Sequence, residues 1–463
     1  MRNQNTEFLI KKGLRLKTAG RVFAFVLTLV LCTHSLLAQA EGETLSPDQF
    51  GSLLTLDEAV QRALKSQAEV KRALARLSKE ESLYKGTLAE FLPKLKADAF
   101  GGVATGERRF VSYVDAGIEQ PIFQGGKNLA QKRRQQTLVE SEKKKLEQVR
   151  LDVELGVRIV YAQVLQEKEL TRMAQEQVKE LAVEHERIKK LVDKEILPRY
   201  EFFRMETLLE SAKHGRVKHK ETYDYLLTVL KETIRIGEGE SLDLEPLTDF
   251  QELEESAAQY LDKARHHDPV YQLQELKVKE KQFEKRALQA DRFPKISLTA
   301  KWDQLRDVYA NTNRGMVGIV GKWDIWDFGR LGSQIDAKSH EIEEMKWQGE
   351  IEIREHENAI QRIFHEARAA REKIRLTETL IQERQEIYKN EKTRLIAGEK
   401  GSQELVDSFV ALEEAKGQRL QAITDYRILI VQLERKIGFE AHLEELNRSE
   451  DFDPSPNSRE AES

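Results

Sequence analysis

Asp324-Ile325-Trp326-Asp327-Phe328-Gly329-Arg330 repeats, 203 residues further on, the pattern of Pro121-Ile122-Phe123-Gln124-Gly125-Gly126-Lys127. Each stretch runs from two large apolar residues through a turn to a glycine and a cation. The correspondence extends outward on both sides. Phe91-Leu92-Pro93-Lys94-Leu95 parallels Arg292-Phe293-Pro294-Lys295-Ile296 at an offset of 201. Leu209-Glu210-Ser211-Ala212-Lys213 parallels Leu412-Glu413-Glu414-Ala415-Lys416 at 203, and Ile236-Gly237 parallels Ile437-Gly438 at 201. Repetition on this scale makes the chain a tandem duplication of one structural unit.

The order of signals within each copy predicts its elements. An amphipathic helix over Leu56 to Leu88 carries Ala59, Ala63, Val70, Leu74 and Leu77 near helical spacing. Pro93 and Pro294 stop it. A hairpin follows, about 95–122 in the first copy and 295–326 in the second. Ile296, Leu298, Ala300 and Trp302 alternate with Lys295, Ser297, Thr299 and Lys301, the period of two expected of a strand with one apolar face. The returning strand is read as Val317 to Trp326. Gly101-Gly102, Gly106 and Asn311-Thr312-Asn313 are read as tips. From Lys127 to Lys194 there is no proline, and Val149, Val153, Val157, Val160 and Val164 mark a helical stripe. Such a helix reaches roughly 100 Å at about 1.5 Å per residue. Interruptions at Ile196-Leu197-Pro198 and at Gly398-Glu399-Lys400-Gly401 precede a returning helix.

Composition agrees with long surface-rich helices. Of 463 residues, 33% are charged and only 9 are proline. A net charge of −5 gives no electrostatic footprint for nucleic acid. The basic n-region (Arg2 to Arg21), the apolar run Val22 to Leu37 and Ala38-Gln39-Ala40 read as an export signal over 1–40. The one cysteine, Cys32, lies inside it. The remaining organisation is an N-terminal segment (41–53), a first repeat (54–237), a linker (238–252), a second repeat (253–448) and a disordered tail (449–463). No later segment is apolar enough for a membrane helix, so any crossing is made by strands. Four strands cannot close a barrel, and an open edge is not tolerated in lipid. Several chains must then share one.

The order helix, Phe-Leu-Pro-Lys, hairpin, Gln120-Pro121-Ile122-Phe123-x-Gly-Gly, with its second form Asp324 to Arg330, resembles the TolC-like outer-membrane efflux family. The likeness covers about residues 54 to 440, and Asp324 departs from it where the first copy has Pro121. The resemblance implies a mainly α fold with a small β part. It implies a homotrimer with a twelve-stranded outer-membrane β-barrel and a long-helix periplasmic tunnel. The implied partners are a periplasmic adaptor, an inner-membrane transporter of RND or ABC type, and outer-membrane lipid. No cofactor, metal or catalytic residue is implied. The passive exit of drugs, metal ions, small molecules or secreted proteins is the implied role. Glu404 and Asp407, one helical turn apart, match the family's acidic gate positions, although acids also favour any helix N-terminus. Lys400 matches a basic latch position and Glu201 its aligned acid, while Leu395 stands where the family has a tyrosine. Leu298 is expected to face lipid, and Trp302, Trp323 and Trp326 to form rim aromatics. A structural coiled-coil protein of the envelope would explain the charged helices but not the strand pairs or the duplication. An adaptor would carry one helical hairpin rather than a tandem repeat. No nucleophile, zinc or phosphate-loop motif supports an enzyme.

Overall fold

The computed structural model describes residues 53–104, 109–237, 242–247, 253, 256–306, 311–396 and 402–439. The expected leader, the tip at Gly106, the interruption 398–401 with Lys400, and the polar tail lie outside these residues. The first copy contains α1 (Leu56–Ser66), α2 (Ala68–Ala89), β1 (Lys94–Ala104), β2 (Arg109–Phe123), α3 (Lys127–Asp193) and α4 (Arg199–Ile234). The second contains α5 (Ala257–His267), α6 (Pro269–Gln289), a 3-10 turn (Ala290–Arg292), β3 (Lys295–Arg306), β4 (Asn311–Lys322), α7 (Arg330–Ile396) and α8 (Ser402–Ile437).

The duplication is carried down to backbone angles. Gly125 and Phe328 have φ 62° and 55°, and Gly126 and Gly329 both have φ 87°. These left-handed residues turn the chain from the hairpin into the long helix. Asp327 caps α7 by accepting from Gly329 N at 3.1 Å and Leu331 N at 2.8 Å. Thr55 with Glu58, and Ser256 with Gln259, form reciprocal capping boxes on α1 and α5. Both long helices have 67 residues, close to 100 Å at about 1.5 Å each.

Three expectations are corrected. The helix read over Leu56 to Leu88 breaks at Gln67, whose ψ is 136° and whose side-chain amide donates to Thr233 O at 2.8 Å. The matching break falls at Asp268, just before Pro269, where proline sterics force an extended residue. Asn311, Thr312 and Asn313 are not a tip but the start of β4, opposite Arg306, Leu305 and Gln304. The ladder overrides the weak strand preference of asparagine. The same holds for Gly101 and Gly102, which pair with Ser112 and Val111. The return strand ends at Lys322, so Trp323 and Trp326 follow it. Trp323 Nε1 donates to Arg292 O at 3.1 Å, which holds the chain at the base of the sheet.

Each long helix serves two half-length layers. In the half beside the sheet the helices run side by side as α2, α3, α6, α7; in the other half as α4, α3, α8, α7. The repeated core lies where α1 and α5 meet the long helices. Val157 and Tyr161 of α3 join Ala59, Ala63, Leu230 and Ile234. Ile360 and Phe364 of α7, 203 residues later, join Ala264, Leu433 and Ile437. Residues 242–247 of the linker dock here too. Leu244 is buried in the first cluster, and Tyr161 Oη donates to Leu54 O and Glu245 O, both at 2.9 Å. Burial pushes the Tyr161 phenol up to about 12.

A buried charge network locks the second copy to the first. Asp268 is fully buried; its Oδ1 accepts from Val270 N at 3.0 Å. Its Oδ2 lies 3.3 Å from Arg435 Nη1 and 2.9 Å from His356 Nε2. The His356 Nε2 contact does not meet hydrogen-bond geometry. Arg435 continues to Asp152 of α3 at 2.7 Å. Lys436 reaches His356 Nδ1 at 3.2 Å, and burial holds its ammonium below the usual lysine range. Removing one member strands the others. Asp268→Ala should cost roughly 3–5 kcal/mol, read as a lowered thermal midpoint in detergent at fixed protein concentration. An unchanged midpoint would show that Asp152 alone satisfies Arg435.

Candidate functional site

The candidate residues lie at the two ends of this architecture, the sheet and the helix tips. The sheet is antiparallel in the order β1-β2-β3-β4, so among the described residues β1 and β4 are both free edges. Its register sorts the side chains sharply. Leu95, Ile118, Ala300 and Val317 form one cross-strand row, and Ala97, Ala116, Trp302 and Gly315 the next on the same face. Leu298 and Ile319 extend this face, and both are exposed. The opposite face carries Asp98, Asp115, Asp303 and Arg314 in a single row. There Lys96 pairs with Glu119 at 3.1 Å and Tyr113 Oη donates to Asp115 at 2.9 Å. A sheet with one apolar and one charged face separates a non-polar medium from water. Thr299 belongs to the charged face and is buried.

The three tryptophans in and next to the sheet lie at two levels. Trp323 and Trp326 sit at the helix end of the sheet, and Trp326 stands edge-on to Phe328 at 6.1 Å. Trp302 is seven residues up β3 from Lys295, roughly 23 Å at about 3.3 Å per residue.

At the other end the tips of all four long helices share one apolar cluster. Leu181 and Ile188 of α3 and Met205 and Leu209 of α4 meet Leu395 of α7 and Leu405 and Phe409 of α8. The buried face of α8 therefore runs through 405, 406, 409 and 412. Glu404 is half-buried at its margin, and Asp407 is exposed and accepts from Gln403 Nε2 at 2.8 and 2.7 Å. Glu201 is buried in the first turn of α4, with Arg204 Nη1 at 3.4 Å. Its hydrogen bond raises the Tyr200 phenol above the usual tyrosine range. The structure thus groups Glu404 with Asp407 and places Glu201 on the other hairpin; Lys400 lies outside the described residues.

The sequence reading missed the tie that joins the two hairpins. Tyr388 Oη of α7 donates to Glu180 of α3 at 2.7 Å, and Lys392 lies 3.3 Å from Glu184. Tyr388 packs on Phe409 with ring centres 5.4 Å apart. Burial, then the bond to Glu180, pushes its phenol well above the usual tyrosine range. Leu395, seven residues on, is buried in the apolar cluster. The legible signal was a Tyr–Lys pair at i, i+4 opposite a Glu–Glu pair at the same spacing.

The chain matches the family model described as outer membrane efflux protein over residues 59–190 and 260–438. Its fold is similar to that of CusC, a transmembrane channel, at TM-score 0.73 and 13% identity, covering 83% of this chain and 92% of that one. It is similar to the outer membrane protein VceC of Vibrio cholerae at TM-score 0.72 and 14% identity, covering 83% and 97%. The CmeC outer membrane channel of Campylobacter jejuni aligns at TM-score 0.71 and 16% identity, covering 86% and 90%. Sequence comparison with curated proteins finds no match.

The Tyr388 tie is directly testable. Tyr388→Phe with Lys392→Ala removes a hydrogen bond to a charged acceptor, worth about 1.5–3 kcal/mol, and an ion pair. Amide exchange should quicken in 181–192 and 402–412 and stay unchanged in the strands. Equal protection of both tips in variant and parent would show that the apolar cluster alone holds them.

Proposed function

Because this chain belongs to the outer membrane efflux protein family, we propose that it is one subunit of a homotrimeric outer-membrane channel. The channel gives passive exit to substrates delivered by an inner-membrane transporter through a periplasmic adaptor. The observation that carries this reading is the two-faced sheet with both edges open. In lipid each unpaired backbone group costs several kcal/mol. Pairing β4 of one copy with β1 of the next removes both edges at once, and three copies give twelve strands. The apolar face then meets lipid and the charged face a wet lumen. The Trp302 level and the Trp323–Trp326 level suit the two membrane interfaces. The helices, too long and too polar on their outer surfaces to bury themselves, continue the barrel as a tunnel into the periplasm. The tips carrying Glu404 and Asp407 form its far mouth, where three copies would place six carboxylates around one axis. Such a ring favours cations over anions.

The experiment is conductance in planar bilayers. Purified protein should form cation-selective pores, and Glu404→Ala with Asp407→Ala should weaken that selectivity and the block by divalent cations. Selectivity equal to the parent's would put these carboxylates outside the narrowest ring; no pores from assembled oligomer would overturn the channel reading.

The membrane face has its own test. Val317 lies midway along β4 on the apolar face, and Met316 beside it on the charged face. Val317→Lys should cost roughly 2–4 kcal/mol of insertion stability and Met316→Lys far less, measured by folding into liposomes. Leu298 lies nearer the helix end, so Leu298→Lys should fall between them. Equal costs at 316 and 317 would mean that neither face meets lipid.

A further inference from the structure

The seam between the two copies within the chain shows what the seam between two chains must contain. At the base of the sheet, the turn before α3 sits on the 3-10 turn of the second copy. Lys127 Nζ lies 3.0 and 3.2 Å from the two carboxylate oxygens of Asp291. Lys295 approaches the same carboxylate at 2.9 Å, so Asp291 is held between two cations. The repeat puts Arg330 where Lys127 stands, Glu90 where Asp291 stands and Lys94 where Lys295 stands. Glu90 does pair with Lys94. Among the described residues no second cation reaches it. Arg330 rests 3.7 Å from Asp327, and α2 and α7 are the outermost helices of the row α2, α3, α6, α7.

The hairpin bases are otherwise equivalent. Gln120 Nε2 donates to Phe91 O at 2.9 Å, and Trp323 Nε1, its counterpart, to Arg292 O. Both copies therefore present the same docking ledge. The first copy's turn is seated on a ledge. The second copy's turn is not, and Phe328 stands 91% exposed; Leu92 on the unused ledge is 60% exposed, against 53% for its counterpart Phe293 on the occupied one.

We propose that the turn Asp327–Arg330 docks on Ala89–Leu92 of a second copy of this chain, where Arg330 completes the cation–Glu90–cation set and Phe328 covers Leu92. The inference rests on the channel reading above and adds the contact that registers one subunit on the next. The occupant is a second copy rather than lipid because the ledge is matched in charge as well as in apolar surface. The two seams are not identical. A Cβ at Gly125 would stand 2.3 Å from Ala290 O, so the seam inside the chain has room only for glycine. Phe328 occupies the equivalent position. The seam between chains is therefore wider there, with the phenyl ring as the wedge. Tight and wide seams alternate around the assembly.

The test uses the full chain with Cys32→Ser. Chains carrying Glu90→Cys under one tag are co-expressed with chains carrying Arg330→Cys under another. Membranes are then treated with a short bis-maleimide. A doubly tagged product at twice the chain mass is expected. Lys127→Cys with Asp291→Cys in one chain should instead link internally, with no gain in mass. Should the Glu90–Arg330 pair hinder assembly, Leu92→Cys with Phe328→Cys replaces it and should give the same product. Native electrophoresis of the same samples separates the two ideas. Assembled oligomer without either intersubunit link overturns the docking contact alone. A monomer in every sample, including the parent, overturns both.

Discussion

Two rows of unpaired peptide groups, along β1 and along β4, set the terms for the rest of this molecule. A soluble protein can leave such edges to water. Here the sheet also has a continuous apolar face, from Leu95 and Ile118 to Val317 and Ile319, and that face drives it out of water. In lipid the edges must pair, and among the described residues no strand is left to pair them. Edge pairing between copies, as proposed above, answers that one hydrogen-bonding requirement, and it would leave the charged face on a wet interior.

The same incompleteness runs down the helices. α3 has neighbours on both sides throughout its length, whereas α7 ends the row in both halves and, among the described residues, has them on one side only. The repeat makes these two helices equivalent, so the surroundings of α3 are a template for those α7 requires. The energetic investment is unevenly placed along this length. The region around α1, α5 and the docked linker holds the best-buried cores and the Asp268–Arg435–Asp152 network. The far tips rely on one apolar cluster and the Tyr388–Glu180 tie.

Much of this was legible beforehand because the chain says everything twice. The 201- and 203-residue correspondences located the hairpins, the long helices and the tips. The break at Gln67 has no local signal and was not read, although its partner Asp268 precedes Pro269. The errors came where pairing across the sheet decides the outcome. Asn311 to Asn313 look like a turn and are strand, because Gln304 to Arg306 offer them a ladder. The tip tie was missed because Tyr388 and Glu180 are 208 residues apart and neither is unusual in its own helix.

The sequence by itself determined the duplication, the alternation that makes one sheet face apolar, and the length of the long helix that follows the first hairpin. These are local or periodic properties, set by residue spacing against periods of about 2 and 3.6. Only the tertiary structure decided which copy's helix lies against which, that Asp291 sits between Lys127 and Lys295 while Glu90 holds one cation, and that Phe328 is left bare. Those facts depend on where a seam falls when two equivalent halves pack side by side. No spacing along a chain encodes that, because the choice is made by side chains hundreds of residues apart competing for the same surface.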